Sequence, residues 1–446
     1  MMTKLSISQS LGFGLALALS GCADDGTPRA DGAEGITTAG TTGQAETNGE
    51  ANGEADAEAN GDGATHDESE TGSEPTKWDT IGPADGGSSC GAGWGAELEF
   101  SYLWAANSAQ GTISKIDTKT VKERGRYIVR PDGIGSPSRT SVSLTGHVAV
   151  ANRNGGVTKI YADKSYCKES NGIPDIQTSG SHIFLPWDQE ECRAWHRPMD
   201  HKSQRPVAWG PGTFNATTCQ WEDEELWTSG TNQDGTLDIY LLDGEDGSTK
   251  EQISVVLGDD GLNEDFFGIY GAAVDGNGDF WGSQLGSNGR LIRVNREDMT
   301  YDIWDTPTNP HWYGMTVDSE GIVWLCSATV GRFDPATETW VTAEVGGWTG
   351  CMADAKDNGL LWMSNGNGVV GINRDTLQVE KTWVAAGSYG ISIDFEGYIW
   401  AVASGTNVSK IDPDTGDFTT YSGLVGAYTY SDMTGYALSN VGKPSG

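Results

Sequence analysis

From about residue 97 to the C-terminus the chain repeats one phrase at intervals near 40 residues. Its clearest copies are Tyr270-Gly-Ala-Ala-Val-Asp-Gly-Asn-Gly-Asp-Phe-Trp281, Tyr313-Gly-Met-Thr-Val-Asp-Ser-Glu-Gly-Ile-Val-Trp324 and Tyr389-Gly-Ile-Ser-Ile-Asp-Phe-Glu-Gly-Tyr-Ile-Trp400. Each leads into a second hairpin ending in a phrase such as Arg332-Phe-Asp334 or Lys410-Ile-Asp412, then turn residues. One unit of short alternating strands cannot bury its apolar face alone. Neighbours stacked around a ring bury it from both sides. The repeat therefore predicts an all-β fold, a seven-bladed β-propeller. Propellers serve many functions, so the fold names none.

Seven units are counted by their second-strand tryptophan or the residue in its place: Trp104, Ala149, Trp227, Trp281, Trp324, Trp362 and Trp400. The long gap between Ala149 and Trp227 predicts an insertion over 165–221, holding Cys167, Cys192 and Cys219. The first unit has no Tyr-Gly strand before its tryptophan. Tyr430-Ser-Asp-Met-Thr-Gly435 aligns with Tyr389-Gly-Ile-Ser-Ile-Asp394. Residues 430–437 are thus expected to pair beside the Trp104 strand and close the ring, removing two open sheet edges.

The chain before the ring reads as export and tether. Residues 1–21 combine Lys4 with a short apolar run over 11–19, the form of a signal peptide. Leu19-Ser20-Gly21-Cys22 resembles a bacterial lipobox, which implies cleavage before Cys22 and lipidation there. Residues 22–77 are Gly, Ala, Thr, Asn and acids, with a net charge of −12 over 23–77. Such a stretch has too little apolar surface to offset its ordering entropy, so a disordered acidic tether is expected. Residues 78–446 keep −24 of the total −35. That balance argues against nucleic acid as a partner. The partners expected are the membrane through the lipid, and an unknown small molecule, glycan or envelope protein. The expected location is the cell envelope, at the outer membrane or cell surface rather than the inner membrane, and the expected state is monomeric. Six cysteines remain after Cys22, as in exported chains with disulfides. Cys326, on a second strand of blade 5, and Cys351, on the inner strand of blade 6, are expected to be bonded; the pairing of Cys90, Cys167, Cys192 and Cys219 is left open.

Two resemblances bear on function. Trp104-Ala-Ala-Asn-Ser-Ala-Gln-Gly-Thr-Ile-Ser-Lys-Ile-Asp117 resembles YVTN-type propeller repeats. The Tyr-Gly…Asp…Gly…Trp units resemble those of the virginiamycin B lyase family, over about 97–440 and best in blades 4 to 7. That resemblance implies elimination of a macrocyclic ester with magnesium, by an acid and histidines around the funnel. The family's repeats put a carboxylate three residues after the tryptophan. This chain has Asn107, Asn152, Gly230, Gln284, Ser327, Asn365 and Ala403 there. An amide cannot serve as a general base. Pro310-His311 is similar to the family's Pro-His, but Tyr313 occupies the matching slot. No catalytic residue is carried over, and the expectation is a ligand- or partner-binding module without catalysis. The alternative, a lyase or hydrolase on the same scaffold, would need carboxylates in the channel, and only then magnesium or calcium; otherwise no cofactor is expected.

The candidate binding residues open the inner strands around one mouth. They are Arg139, Arg205, Tyr270, Tyr313, Tyr389, Tyr430 and Trp348 or Thr349. Two arginines in an acidic domain can fork an anionic group, and the aromatic rings can stack beside it. Asp432 is grouped with them as the acid that a simple salt bridge would use. No metal site is expected. His196, Asp200 and His201 read as a polar surface loop, and Asp275-Gly-Asn-Gly-Asp279 reads as a turn, since a calcium loop would need an acid where Gly286 stands.

Overall fold

Blades 4, 5 and 7 start from the same local chemistry. The aspartate that ends an inner strand turns its carboxylate back on the chain. In blade 4, Asp275 Oδ1 accepts the amides of Asn277 (2.9 Å) and Asp279 (3.2 Å), while Oδ2 accepts Trp281 Nε1 (2.9 Å). Asp318 holds Trp324 in the same way at 2.9 Å and Asp394 holds Trp400 at 2.8 Å. A cation from the third strand, or from the next blade, completes the cluster: Lys410 on Asp394 at 3.4 Å and Arg374 on Asp318 at 3.1 Å. The buried carboxylate is thus paired and hydrogen-bonded, the condition for its being tolerated in a core. The repeated phrase records a turn, a buried indole and their shared acceptor. Asp275 to Asp279 is such a turn, as expected.

The glycine after the tyrosine has a packing reason. A Cβ on Gly314 would stand 3.3 Å from Gly350 Cα of the next blade, and nearer still to the Thr349 carbonyl oxygen. Inner strands crowd toward the axis, and glycine lets their backbones approach.

The computed structural model describes residues 101–441, apart from 216, 219, 309 and 355–358. The expected signal, Cys22, the tether, Cys90 and Cys219 lie outside the described residues. Seven antiparallel sheets form the ring. Blade 4 is representative: Gly271–Val274, Phe280–Ser283, Arg290–Val294 and Tyr301–Asp305, paired in order from the axis outward. Blades 2 to 7 have four such strands. The first sheet has three, Tyr102–Asn107, Thr112–Asp117 and Lys122–Ile128. Apolar second and third strands, with the tryptophans fully buried, make the layers between blades.

The C-terminal segment takes the place of the missing inner strand, joined to blade 1 by separate hydrogen bonds rather than a regular ladder. Tyr428 N donates to Ala106 O (3.2 Å), Trp104 N donates to Met433 O (2.8 Å), and Val425 N donates to Asn107 Oδ1 (2.8 Å). The pairing stops at 433, short of the expected 437, because Tyr436–Val441 is a helix. That helix packs Leu438 and Val441 against Val274, Met315 and Val317, at the far ends of the inner strands, and plugs that end of the channel.

The long gap is only partly extra chain. Within 165–221, Arg193–Arg197 is the outer strand of blade 2 and Ser203–Trp209 the inner strand of blade 3. The additions are a loop over 163–192 and a hairpin of Thr213–Asn215 with Gln220–Glu222. The loop is closed by a Cys167–Cys192 disulfide with Cα atoms 4.5 Å apart. Glu191 organises it by accepting the amides of Ser170 (2.6 Å) and Gln177 (2.7 Å). The expected Cys326–Cys351 disulfide is present, joining blades 5 and 6 with Cα atoms 6.2 Å apart.

Candidate functional site

Four tyrosines converge at the mouth opposite the helix. In each regular blade the amide of the tyrosine bonds the carbonyl two residues past the tryptophan: Tyr270 to Ser283 at 2.8 Å, Tyr313 to Cys326 at 3.0 Å, Tyr389 to Val402 at 2.7 Å. In blade 1 that carbonyl is Ala106, and its partner is Tyr428. Tyr430, the residue aligned with this slot, is two positions late. The aligned spacing from tyrosine to the partner of the tryptophan is three residues, Tyr389 to Ser392. In the closing segment it is five, Tyr428 to Met433. The two extra residues bulge, and Tyr430 is pushed into the channel beneath the quartet. In blade 6 the slot belongs to Trp348, whose amide bonds Ser364 O at 2.8 Å.

The phenol oxygens of the quartet bond one another. Tyr270 Oη donates to Tyr313 Oη at 2.9 Å and lies 2.7 Å from Tyr428 Oη; Tyr313 also bonds Tyr389 and Tyr428. Burial raises Tyr270 to about 12 and raises Tyr313 and Tyr389 as well. Burial acts the same way on Tyr428, but bonds from the other three phenols and the nearby Arg139 charge outweigh it and hold Tyr428 below the usual phenol value.

Three guanidinium groups surround this network. Arg139 lies opposite Ala151 beside a bulge, and Arg205 lies at the bulge opposite Thr228 and Gly230. Such irregularities re-aim side chains. Arg139 crosses the channel to donate Nε (3.1 Å) and Nη2 (2.5 Å) to the Tyr270 carbonyl, and its Cζ lies 3.0 Å from the centre of the Tyr430 ring. Arg205 sits over Phe267 (4.2 Å) and Tyr270 (4.8 Å). Arg153, from the second hairpin of blade 2, lies 4.9 Å from the Tyr428 ring and donates to Ser136.

None of the three makes an ion pair among the described residues. Arg139 is 1% exposed and Arg205 9%, yet Arg139 Nη1 and Arg205 Nε and Nη1 have no partner. Burial pulls Arg139 down to about 10 and lowers Arg153; the Arg205 charge pushes both the same way. At neutral pH the mouth holds clustered positive charge. Asp265 is the acid that feels Arg205: burial raises it and Arg205 opposes the rise.

Asp432 does not share this mouth. It faces the helix end of the channel, where Oδ1 accepts the amides of Thr434 (3.2 Å) and Gly435 (2.9 Å). It therefore braces the turn that leads into the helix rather than pairing with Arg139 or Arg205. Among the positions three after each tryptophan, Asn107 and Gln284 are structural amides: Asn107 bonds Ser114 Oγ (2.8 Å), and Gln284 bonds the backbone of Asn263. His196 and His201 have separate partners, Thr158 Oγ1 (2.9 Å) and the Tyr240 hydroxyl (3.0 Å). His196 is on a blade strand and His201 is buried, so the two are built into the ring rather than placed on a surface loop. No cluster of three His, Cys, Asp or Glu residues suited to a metal occurs among the described residues.

Beside the quartet is an open cavity of about 730 Å³, between blades 5 and 6, with Pro307, Thr308, Pro310 and His311 at its edge. Tyr313 and Tyr389 form its inner wall, with Trp348, His311, Glu344 and several threonines around it. Trp348 is 49% exposed and stands edge-on to Tyr389, ring centres 5.4 Å apart. Sequence reasoning found the tyrosines and two of the arginines. It missed Arg153, which stands in a hairpin rather than at the start of an inner strand. It also missed Tyr428, which no alignment without the bulge reaches.

No protein-family model matches the chain, and no curated protein matches it. Solved structures that it is similar to are propellers of low identity. One is virginiamycin B lyase from Staphylococcus aureus, at 14% identity over 64% of this chain and 84% of that one, with a TM-score of 0.41. Another is AztD from Citrobacter koseri, at 12% identity over 74% and 96%, with a TM-score of 0.44. A third is BamB from Moraxella catarrhalis, at 13% identity over 74% and 89%, with a TM-score of 0.39. What the chain shares with these is at most the all-β seven-bladed propeller that its own strand pairing defines.

Proposed function

We propose that the protein is a lipid-anchored envelope protein whose propeller binds an anionic ligand at the tyrosine-bearing mouth, without catalysis. One observation carries the binding reading. Arg139, Arg153 and Arg205 converge on the quartet with no carboxylate paired to them, in a domain of net charge −24. A buried guanidinium with unmade hydrogen bonds is costly, and a bound anion removes that cost. Arg139 lies under the phenols and acts through its charge. Arg205 and Arg153, nearer the surface, are the groups that touch the ligand.

Thermal melts of the full chain with added sulfate or acetate test this. Ligand bound only to the native state raises the melting temperature by mass action. The rise is expected in the wild type, and Arg205→Ala is expected to weaken the anion by roughly 1.5–3 kcal/mol, the range for a charged hydrogen bond. If wild type and variant respond alike, the mouth is not an anion site. The anchor rests on Leu19-Ser-Gly-Cys22 alone. Cys22→Ser is expected to move the protein from the membrane to the soluble fraction; a variant still in the membrane fraction overturns it.

A further inference from the structure

We propose that the ligand of this mouth is a saccharide bearing a single carboxylate: a hexuronate-class sugar, free or at the end of a short chain. The inference rests on the anion reading and adds what the cavity beside the tyrosine quartet requires. The site has two parts of opposite character. Its inner part is the quartet with Arg153 and Arg205 against the rings of Tyr428 and Tyr270. Its outer part is the cavity of about 730 Å³, within the usual range for small-molecule sites. Tyr313 and Tyr389 belong to both, lining the cavity with their rings and joining the quartet with their hydroxyls.

The outer part has the chemistry of a sugar site. Trp348 offers a half-exposed indole, braced by Tyr389, on which the C–H face of a pyranose can lie. Around it stand Ser327, Thr329, Thr342 and His311, and Glu344, which is bonded to Thr329 at 3.3 Å. Short hydroxyls, an imidazole and a carboxylate match the donors and acceptors of sugar hydroxyls. Glu344 also sets a sign. Negative charge on the ligand is welcome toward Arg205 and unwelcome beside Glu344. A polyanion would meet Glu344 and a domain of −24, so one carboxylate at one end fits and a chain of them does not. A planar carboxylate also suits the fork of a guanidinium.

Saturation-transfer NMR and calorimetry on the detergent-solubilised full chain test this, with D-galacturonate, D-glucuronate, D-galactose, acetate and AMP as probes. One of the two uronates is expected to bind at least tenfold tighter than galactose and than acetate. Trp348→Ala is expected to reduce that uronate to the strength of acetate, leaving acetate itself unchanged. Arg205→Ala is expected to reduce it to the strength of galactose. Trp348 is a surface residue, so its variant keeps the test valid if Arg205→Ala fails to fold. Acetate binding with neither uronate tighter than acetate overturns the saccharide inference and leaves the anion reading standing. AMP tighter than both uronates, or Trp348→Ala without effect, also overturns it. No binding of any acidic probe to the folded protein overturns the anion reading and this inference together.

Discussion

A single carboxylate can do opposite things in this ring. Asp275, Asp318 and Asp394 use both oxygens, one on a turn and one on an indole, and sit beside a cation. Asp432 uses Oδ1 on the turn before the C-terminal helix and leaves Oδ2 buried without a partner. Burial pushes its carboxyl up to about 6, against the pull of the backbone bonds. The folded state therefore binds this proton more tightly than the unfolded chain. That contribution is fully present below about pH 4 and is lost as pH rises through 6. Its size is at most ~3 kcal/mol. Asp432→Asn keeps the oxygen that accepts the turn amides and removes the titration. Denaturation at pH 4 and pH 7.5 is expected to show the variant gaining on the wild type by up to ~3 kcal/mol between the two. A gain that does not change with pH would sink this account of Asp432. At this scale the sequence was partly legible. Arg139 and Arg205 stood out because cations filled slots given to tyrosine elsewhere. Which acid would meet them could not be read, because Asp432 is turned away by a bulge two residues long.

The strand elements were the most legible, since a two-residue alternation with a tryptophan at a fixed place specifies both pairing and face. The blade count follows from that alone, and so does the Cys326–Cys351 bond, because both cysteines fall on neighbouring strands of adjacent blades. The loop over 163–192 was not legible. It has no alternation, and what orders it is a disulfide and the carboxylates of Glu190 and Glu191 on backbone amides. The strands Arg193–Arg197 and Ser203–Trp209 were hidden in the same stretch, because neither carries the tryptophan that marks a second strand of the repeat. The C-terminal helix was hidden by the repeat itself. Residues 430–437 look like one more inner strand, yet helix begins at Tyr436, where Leu438 and Val441 find an apolar end of the channel to fill.

At the scale of the whole molecule the chain's last residues do two separable jobs, closure and plugging. A stop after Gly435 keeps Tyr428, Tyr430 and Met433 and removes only the helix. The loss is the burial of Tyr436, Leu438 and Val441, about 1.5–3 kcal/mol for each large apolar side chain. That protein is expected to melt at a lower temperature, still in one transition, and to keep its anion response, because the plug lies at the opposite end from the quartet. A stop after Val425 removes the inner strand of blade 1 as well. The amide of Trp104 and the carbonyl of Ala106 lose their partners, and Tyr102–Asn107 becomes an open edge. Arg139 loses the ring of Tyr430 that covers it, and the quartet loses Tyr428. A ring held shut at one seam has no neighbour to share that loss, so this truncation is expected to abolish the single cooperative melt and to expose an aggregating edge. Calorimetry and light scattering of the two truncated proteins distinguish the jobs. If the Val425 stop melts like the full chain, the seam does not hold the ring; if the Gly435 stop behaves like the Val425 stop, the helix rather than the strand closes it.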